Sequence, residues 1–243
     1  MGQFAEKVVI VTGAGTGIGR AIAEGFVREG AKVALVGRRL EKLEEAGAGL
    51  PAGQVFLLGC DVGEREAVRV MVAKVEASLG AAHILVNNAG TNTNPRSMAE
   101  VSPEDWDLTL ATNLTGAFNC AQAVLPAMRQ RRGGVIVNIS SIAGLRASKL
   151  AGAAYSAAKH GLMALTHVIN EEEREYGIRA CAICPGEVET PILDVRPEPV
   201  SQEHRARMLQ PEDVAAATLF VAGLPARACI PELVIKPTWQ IFS

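Results

Sequence analysis

KVVIVTGAGTGIGR, residues 7–20, joins an apolar run to a glycine-rich turn and the first residues of an amphipathic pattern. The run KVVIVT (7–12) has the length and β-branched content of a buried strand. Gly13, Gly15, Gly17 and Gly19 then alternate with Ala14, Thr16 and Ile18, and IGRAIAEGFVREG (18–30) reads as a helix. Glycines between a strand and a helix permit a tight turn and let a pyrophosphate approach the backbone N–H groups at the helix N-terminus. A dinucleotide is the ligand expected of such a turn. Because glycine-rich strand–helix turns also occur without ligands, the rest of the chain has to carry the reading.

Outward from residue 20, short apolar runs recur: KVALVG (32–37), QVFLLGC (54–60), HILVNN (83–88), GVIVNIS (134–140), IRACAIC (178–184) and ELVIK (232–236). Helical patterns lie between them, such as EREAVRVMVAKVEASLG at 64–80. A regular β–α alternation calls for a parallel sheet covered on both faces. The expectation is a single α/β domain over residues 1–243, a Rossmann-like doubly wound parallel sheet of about seven strands flanked by helices. The proline-rich stretch PGEVETPILDVRPEPVSQ at 185–202 is loop-like, and a substrate-side loop is expected around 186–210.

Composition narrows the partners. The hydrophobic fraction is 49% with 24 glycines and only 4% aromatic residues, which suits a closely packed α/β protein and not a disordered one. A formal net charge of −2 offers no broad positive field for nucleic acid or an acidic membrane surface, so a small-molecule substrate is expected. No stretch approaches about 18 consecutive strongly apolar residues, and the chain start has no basic region with a cleavable apolar core. The reading is cytoplasmic. The five cysteines lack the density of a disulfide framework, and Cys181 and Cys184, three apart on a strand, face opposite sides. The histidines His83, His160, His167 and His204 have no metal-ligand spacing, so no metal site is expected.

Further motifs follow in order: Cys60-Asp61-Val62, Asn87-Asn88-Ala89-Gly90, Asn113 in TNLTGAF, Ser140-Ser141, Tyr155-Ser156-Ala157-Ala158-Lys159, and Pro185-Gly186-x-Val188-x-Thr190-Pro191. Together with the TGxxxGxG spacing of Thr12–Gly19 they cover nearly the whole chain, which resembles the short-chain dehydrogenase/reductase family. That resemblance implies an oxidoreductase moving a hydride between a nicotinamide and a carbonyl or secondary alcohol carbon. It implies catalytic roles for Asn113, Ser141, Tyr155 and Lys159. It places cofactor contacts at Gly13, Gly15, Thr16, Gly17, Ile18, Gly19, Asp61, Val62, Asn88, Ala89, Gly90, Tyr155, Lys159, Pro185, Gly186, Val188 and Thr190. It also implies a homo-oligomer, a tetramer with a dimer as the alternative. The end of the chain departs from the family: ARACIPELVIKPTWQIFS stands where a glycine-containing VDGG-like terminus is common.

The chemistry can also be argued from the residues. Tyr155 and Lys159 stand at i and i+4 on a helical pattern, so both reach one cleft. An ammonium near a phenol favours the phenolate and is expected to lower its pKa. A serine hydroxyl can hold the substrate oxygen beside the tyrosine, and Asn113 can position a water in a proton relay. Ser140 and Ser141 point to opposite faces of a strand, and alignment with the family motif selects Ser141.

Cofactor choice depends on the end of the second strand, where an acid would bind the ribose 2′-OH of NAD. Here the sequence is Gly37-Arg38-Arg39. Arg38 can pair with a 2′-phosphate and Arg39 can assist, so NADP(H) is favoured, with NAD(H) as the alternative. A catalytically inactive NADP(H)-binding regulatory or scaffold protein of the same fold is the competing reading, and carbonyl-dependent NADPH oxidation separates the two. The segments 91–96, 148–150 and 187–196 are expected to face the substrate, with Arg96, Lys149 or Arg196 available to a carboxylate. Glu171–Glu175 reads as a solvated helix face.

Overall fold

A computed structural model describes residues 2–241. Seven parallel strands form one sheet: β1 (Val8–Thr12), β2 (Lys32–Gly37), β3 (Val55–Gly59), β4 (Ile84–Asn87), β5 (Gly134–Ile139), β6 (Ile178–Pro185) and β7 (Glu232–Ile235). The spatial order is β3-β2-β1-β4-β5-β6-β7, so the chain winds outward from β1, returns, and winds the other way from β4. The crevice above β1 and β4 is the topological switch point where ligands of open α/β sheets bind.

Alternation along β1 sends Val9 and Val11 to one face and Val8 and Ile10 to the other. The first face is covered by α1 (Gly17–Arg28), α2 (Leu40–Gly47) and α8 (Pro211–Ala222), which bury Ile22, Phe26, Leu43 and Val214. The second is covered by α3 (Arg65–Leu79), α5 (Gly116–Arg131) and α6 (Ala153–Glu173), which bury Met71, Val75, Val124 and Ile169. Full burial of a side chain such as Phe26 or Ile22 is worth about 1.5–3 kcal/mol, so these two layers hold the sheet rigid beneath the loops. Cys181 and Cys184 belong to different clusters on opposite faces, as their spacing requires.

The helical stretch between β4 and β5 is interrupted: α4 (Pro103–Leu110) gives way to a π turn at Ala111–Thr115 before α5 begins. Asn113 explains the break, because its Nδ2 donates to the Thr109 carbonyl at 2.8 Å, the acceptor that the helix ladder would otherwise use. The acidic run 171–175 is not wholly solvated. Glu173 is 1% exposed, and its carboxylate accepts from Arg129 Nε at 2.7 Å and from Arg129 Nη2, tying α6 to α5.

The proline-rich stretch is more ordered than a plain loop. It holds a 3-10 segment at Pro191–Val195 and a short helix α7 (Gln202–Arg205), with Arg205 paired to Glu189 at 2.9 Å and to Asp194 at 3.0 Å. The atypical C-terminus still supplies β7, paired to β6 through Ala182–Glu232 and Pro185–Ile235.

Candidate active site

A cavity of about 710 Å³ runs along the carboxyl ends of the strands, within the size range of small-molecule sites. Its outer end is the glycine turn. Gly13 (φ +65°) and Gly17 (φ +52°) adopt conformations that L side chains rarely take, and a Cβ at Gly13 would lie 2.9 Å from Ala89 Cα. Gly15, Thr16 and Ile18 line the cavity with them, and so do Asn88, Ala89, Gly90, Pro185, Gly186, Val188 and Thr190. Gly19 does not line it. A Cβ there would stand 2.3 Å from both the Gly13 carbonyl oxygen and Asn88 Nδ2, so Gly19 lets α1 approach the turn.

The NNAG segment is fixed by its side chains. Asn88 Nδ2 donates to the carbonyls of Thr12 (3.0 Å) and Gly13 (3.2 Å), and Asn87 donates to Asn138 Oδ1 (2.9 Å) across the strands. Asn113 does not line the cavity. Its side chain joins the loop after β4 to α4: Nδ2 donates to Thr91 O and Thr109 O, while Oδ1 accepts from Thr91 N. Both amide hydrogens are engaged in these bonds.

At the outer rim Arg38, Arg39, Asp61 and Val62 line the cavity. Arg38 Nη1 lies 3.9 Å from Asp61 Oδ2, a loose contact between half-exposed groups. Lys42 also faces this rim, four residues after Arg38 at the start of α2. Its Nζ is paired with Glu45 at 2.7 Å, and no motif in the sequence singled it out. A glycine cradle with no room for side chains and a basic rim fit a dinucleotide phosphate chain.

The inner end brings together Ser141, Tyr155 and Lys159. The strand ends at Ile139, and Ser140 and Ser141 then diverge as expected. Ser140 Oγ donates to the Lys159 carbonyl at 3.3 Å, a packing role. Ser141 caps the 3-10 segment Ile142–Gly144, its Oγ accepting from Ala143 N at 3.1 Å, and its hydroxyl hydrogen-bonds Tyr155. With an N–H bonded to one lone pair, Ser141 keeps its hydroxyl proton for the phenol oxygen or for an oxygen placed beside it.

Electrostatics corrects the expected direction for the phenol. Burial raises the Tyr155 pKa, against the opposing contributions of the Ser141 hydrogen bond and the Arg96 charge. Lys159 Nζ donates to the Ile139 carbonyl at 2.8 Å and stands over the Tyr155 ring, 5.5 Å from its centroid. Burial lowers the Lys159 pKa to about 8.

Of the three cations offered to a substrate carboxylate, Lys149 lies on a separate shallow groove, and Arg196 lines the cavity but is paired with Glu187 at 3.0 Å. Arg96 also lines the cavity. So does Gln240, from the atypical C-terminus, whose Oε1 accepts from Glu187 N at 3.1 Å while Lys236 Nζ donates to its carbonyl at 2.6 Å. Trp239 Nε1 donates to Arg207 O at 2.6 Å, and its ring meets His204 edge-on at 4.9 Å. The tail thus buttresses the 186–210 segment, a contact that no local pattern announced because it joins residues far apart in the chain.

A switch-point cleft with a glycine cradle at one end and a tyrosine–lysine pair at the other defines a dinucleotide-dependent α/β oxidoreductase. The sequence matches the short chain dehydrogenase family over residues 7–200, and the chain belongs to that family. It is 38% identical over 201 residues to a 3beta-hydroxysteroid dehydrogenase of Mediterraneibacter gnavus, covering 80% of this chain and 70% of that one. Among solved structures it resembles the closed form of a serine dehydrogenase complexed with NADP+, at TM-score 0.89 and 32% identity over 96% of each chain. A metagenomic short-chain oxidoreductase in complex with NADP is similar at TM-score 0.82 and 32% identity, covering 97% of this chain and 99% of that one.

Proposed function

We propose that this chain is an NADP(H)-dependent oxidoreductase acting on a carbonyl or secondary alcohol, with Tyr155 as its acid/base group. The observation that carries the reading is the inner end of the cleft, where a Ser141 hydroxyl is bonded to Tyr155 one helical turn from Lys159. When bound, the nicotinamide accepts or supplies the hydride.

The chain's own residues do the rest. The phenol of Tyr155 gives its proton to a carbonyl oxygen in reduction, or takes one from an alcohol in oxidation. Ser141 orients that oxygen by turning its O–H from the phenol to the substrate. Lys159, anchored to Ile139 O, presents its remaining ammonium hydrogens to the ribose side of the cavity. Asn113 holds Thr91 in place at the end of the loop that follows Gly90. Glycines 13, 15 and 17 with Thr16 and Ile18 cradle the pyrophosphate, and Asp61 and Val62 meet the adenine. Arg38 and Arg39 engage the 2′-phosphate, with Lys42 adding to the basic rim; the NADP complexes of the two structural neighbours support this preference.

The neighbours' names, a serine dehydrogenase and a 3beta-hydroxysteroid dehydrogenase, point to alcohols of different size as substrates to try. Purified protein is to be assayed with NADPH, NADP+, NADH and NAD+ against ketones, 3-oxo esters, hydroxy acids, sterols and polyols. Substrate-dependent nicotinamide turnover is the expected result. No turnover with any pair, alongside tight NADP(H) binding, would establish the inactive binding protein instead.

The protein is further proposed to assemble as a homotetramer. Leu108, Phe118 and Val168 on α4, α5 and α6 stay 41%, 37% and 48% exposed, an apolar surface that a two-fold partner can cover. Light scattering showing a stable monomer at micromolar concentration would overturn it.

A further inference from the structure

We propose that Arg96 is a positioning residue of this site: a buried guanidinium that ties together the loops roofing the substrate chamber and holds an unneutralised positive charge against Tyr155. The proposal rests on the reading of Tyr155 as the acid/base group.

The geometry comes first. Arg96 is 8% exposed and lines the cavity. Its Nε donates to Thr93 O at 3.0 Å, its Nη1 to Leu150 O at 3.2 Å, and its Nη2 to Val195 O. These acceptors lie on the loop after β4, the loop before α6 and the 3-10 segment after β6, so a single side chain fixes the relative placement of all three. The Arg96 backbone also seats the first turn of α6, since its carbonyl accepts from Ala153 N at 3.2 Å. A Cβ at Gly152 would come within 2.6 Å of that carbonyl oxygen, so the contact leaves no slack two residues from Ala154 and three from Tyr155.

The charge is the second half. Carbonyl oxygens satisfy N–H groups but do not neutralise a cation, and a buried charge without a counterion is costly. No ion pair of Arg96 with a carboxylate occurs among the described residues. Glu187 is taken by Arg196 at 3.0 Å and by His204 at 3.1 Å. The groups that face the phenol are Lys159 on α6 and Ser141 after β5, neither of them an anion. Cys184 on β6, beside Lys159 and Ser141, is pushed up to about 11 by burial and hence neutral. Arg196, from the segment after β6, opposes the charge of Arg96. Among the described residues the phenolate is therefore the anion that can share the Arg96 charge, and the two groups favour each other's ionised forms.

The test needs no turnover. Tyr155 and Tyr176 are the only two tyrosines in the chain. In a Tyr176→Phe background, ultraviolet titration of phenolate absorbance reads Tyr155 alone. Removing a nearby opposite charge by Arg96→Gln should raise its midpoint by about 1 pH unit or more. Arg96→Lys keeps the charge and gives up the three-way fork, so its midpoint should stay within about 0.5 unit of the parent while KM rises. The alkaline limb of kcat/KM should move with the phenol midpoint.

Equal midpoints in the parent and Arg96→Gln would overturn the proposal. So would a rise in KM confined to carboxylate substrates without any shift in midpoint, which would make Arg96 a substrate receptor. Should Arg96→Gln not fold, Arg96→Lys decides alone: a raised midpoint with unchanged KM overturns the proposal. If no variant, nor the parent, turns over any substrate, the functional reading fails while the phenol titration still gives its answer.

Discussion

Arg38 at the outer end of the cleft is 54% exposed in its side chain and 3.9 Å from its partner Asp61, whereas Arg96 at the inner end is 8% exposed and held by three carbonyls. The same guanidinium is a mobile, screened charge in one place and a fixed, poorly screened one in the other. Water at the outer rim lets a charge choose between ligands without altering its neighbours. Burial at the inner end makes each charge change the protonation of the next. The outer end should therefore govern which cofactor binds, and the inner end whether and at what pH the reaction runs.

The sharpest way to break this division is Tyr155→Phe. It keeps the ring and removes the proton-transfer group, so kcat should fall by about 100- to 10,000-fold while NADP(H) affinity is retained. Steady-state kinetics with fluorescence titration of the cofactor checks both halves. A near-normal kcat across pH would end the acid/base assignment.

Lys159 offers a stability test of the buried end. Its pKa is lowered from 10.5 to about 8 in the folded chain, while an unfolded lysine keeps its proton to the higher value. Between these values the unfolded state binds more protons, so this group's contribution makes stability rise with pH across that window. Below pH 8 the penalty is complete, about 3 kcal/mol, offset in part by the bond to Ile139 O. In Lys159→Met, which loses activity, the pH dependence should vanish. Denaturant unfolding at several pH values reads the difference between the two proteins, and wild type should gain on the variant as pH rises.

At the outer end Arg38→Ala should cost NADP(H) one charge-assisted bond, about 1.5–3 kcal/mol or roughly 10- to 150-fold in the NADP/NAD ratio of kcat/KM. Gly37→Asp combined with Arg38→Ala should reverse the preference, the carboxylate accepting from the ribose 2′-OH and repelling the phosphate. An unchanged ratio in Arg38→Ala would show that this rim does not select. The smallest effect is that of salt. Raising ionic strength from low values to about 1 M shortens the screening length from about 10 Å at 0.1 M to 3 Å. The wild-type NADP/NAD ratio should then fall several-fold, while the phenol midpoint set by Arg96 holds.

The difference in burial also explains what could be read in advance. The seven strands match their sequence runs to within a residue or two because period-2 apolar alternation and short buried runs are local properties. The glycine turn, Asn88–Gly90 and the Tyr155–Lys159 pair were legible for the same reason, each being a short segment whose spacing carries its geometry. That Ser140 and Ser141 diverge followed from alternation at a strand end, while the preference for Ser141 came from the family motif. The π turn at Asn113 was not legible, since it arises when one side chain competes for a helix carbonyl while gripping a loop that lies 22 residues away. Glu173 was misplaced for a related reason: a run of acids resembles a solvated face until Arg129, 44 residues distant, covers one of them.

The sequence by itself determined the sheet, the glycine turn and the i, i+4 placement of Tyr155 and Lys159 on one helix, because those depend on residues close together in the chain. Tertiary structure alone decided what surrounds that pair. It put Lys159 Nζ on the Ile139 carbonyl, held Arg96 between the carbonyls of three segments, and folded Gln240 back onto Glu187. Each of these depends on burial and on contacts between distant segments, and the strength of a charge in a protein is set by how much water remains around it.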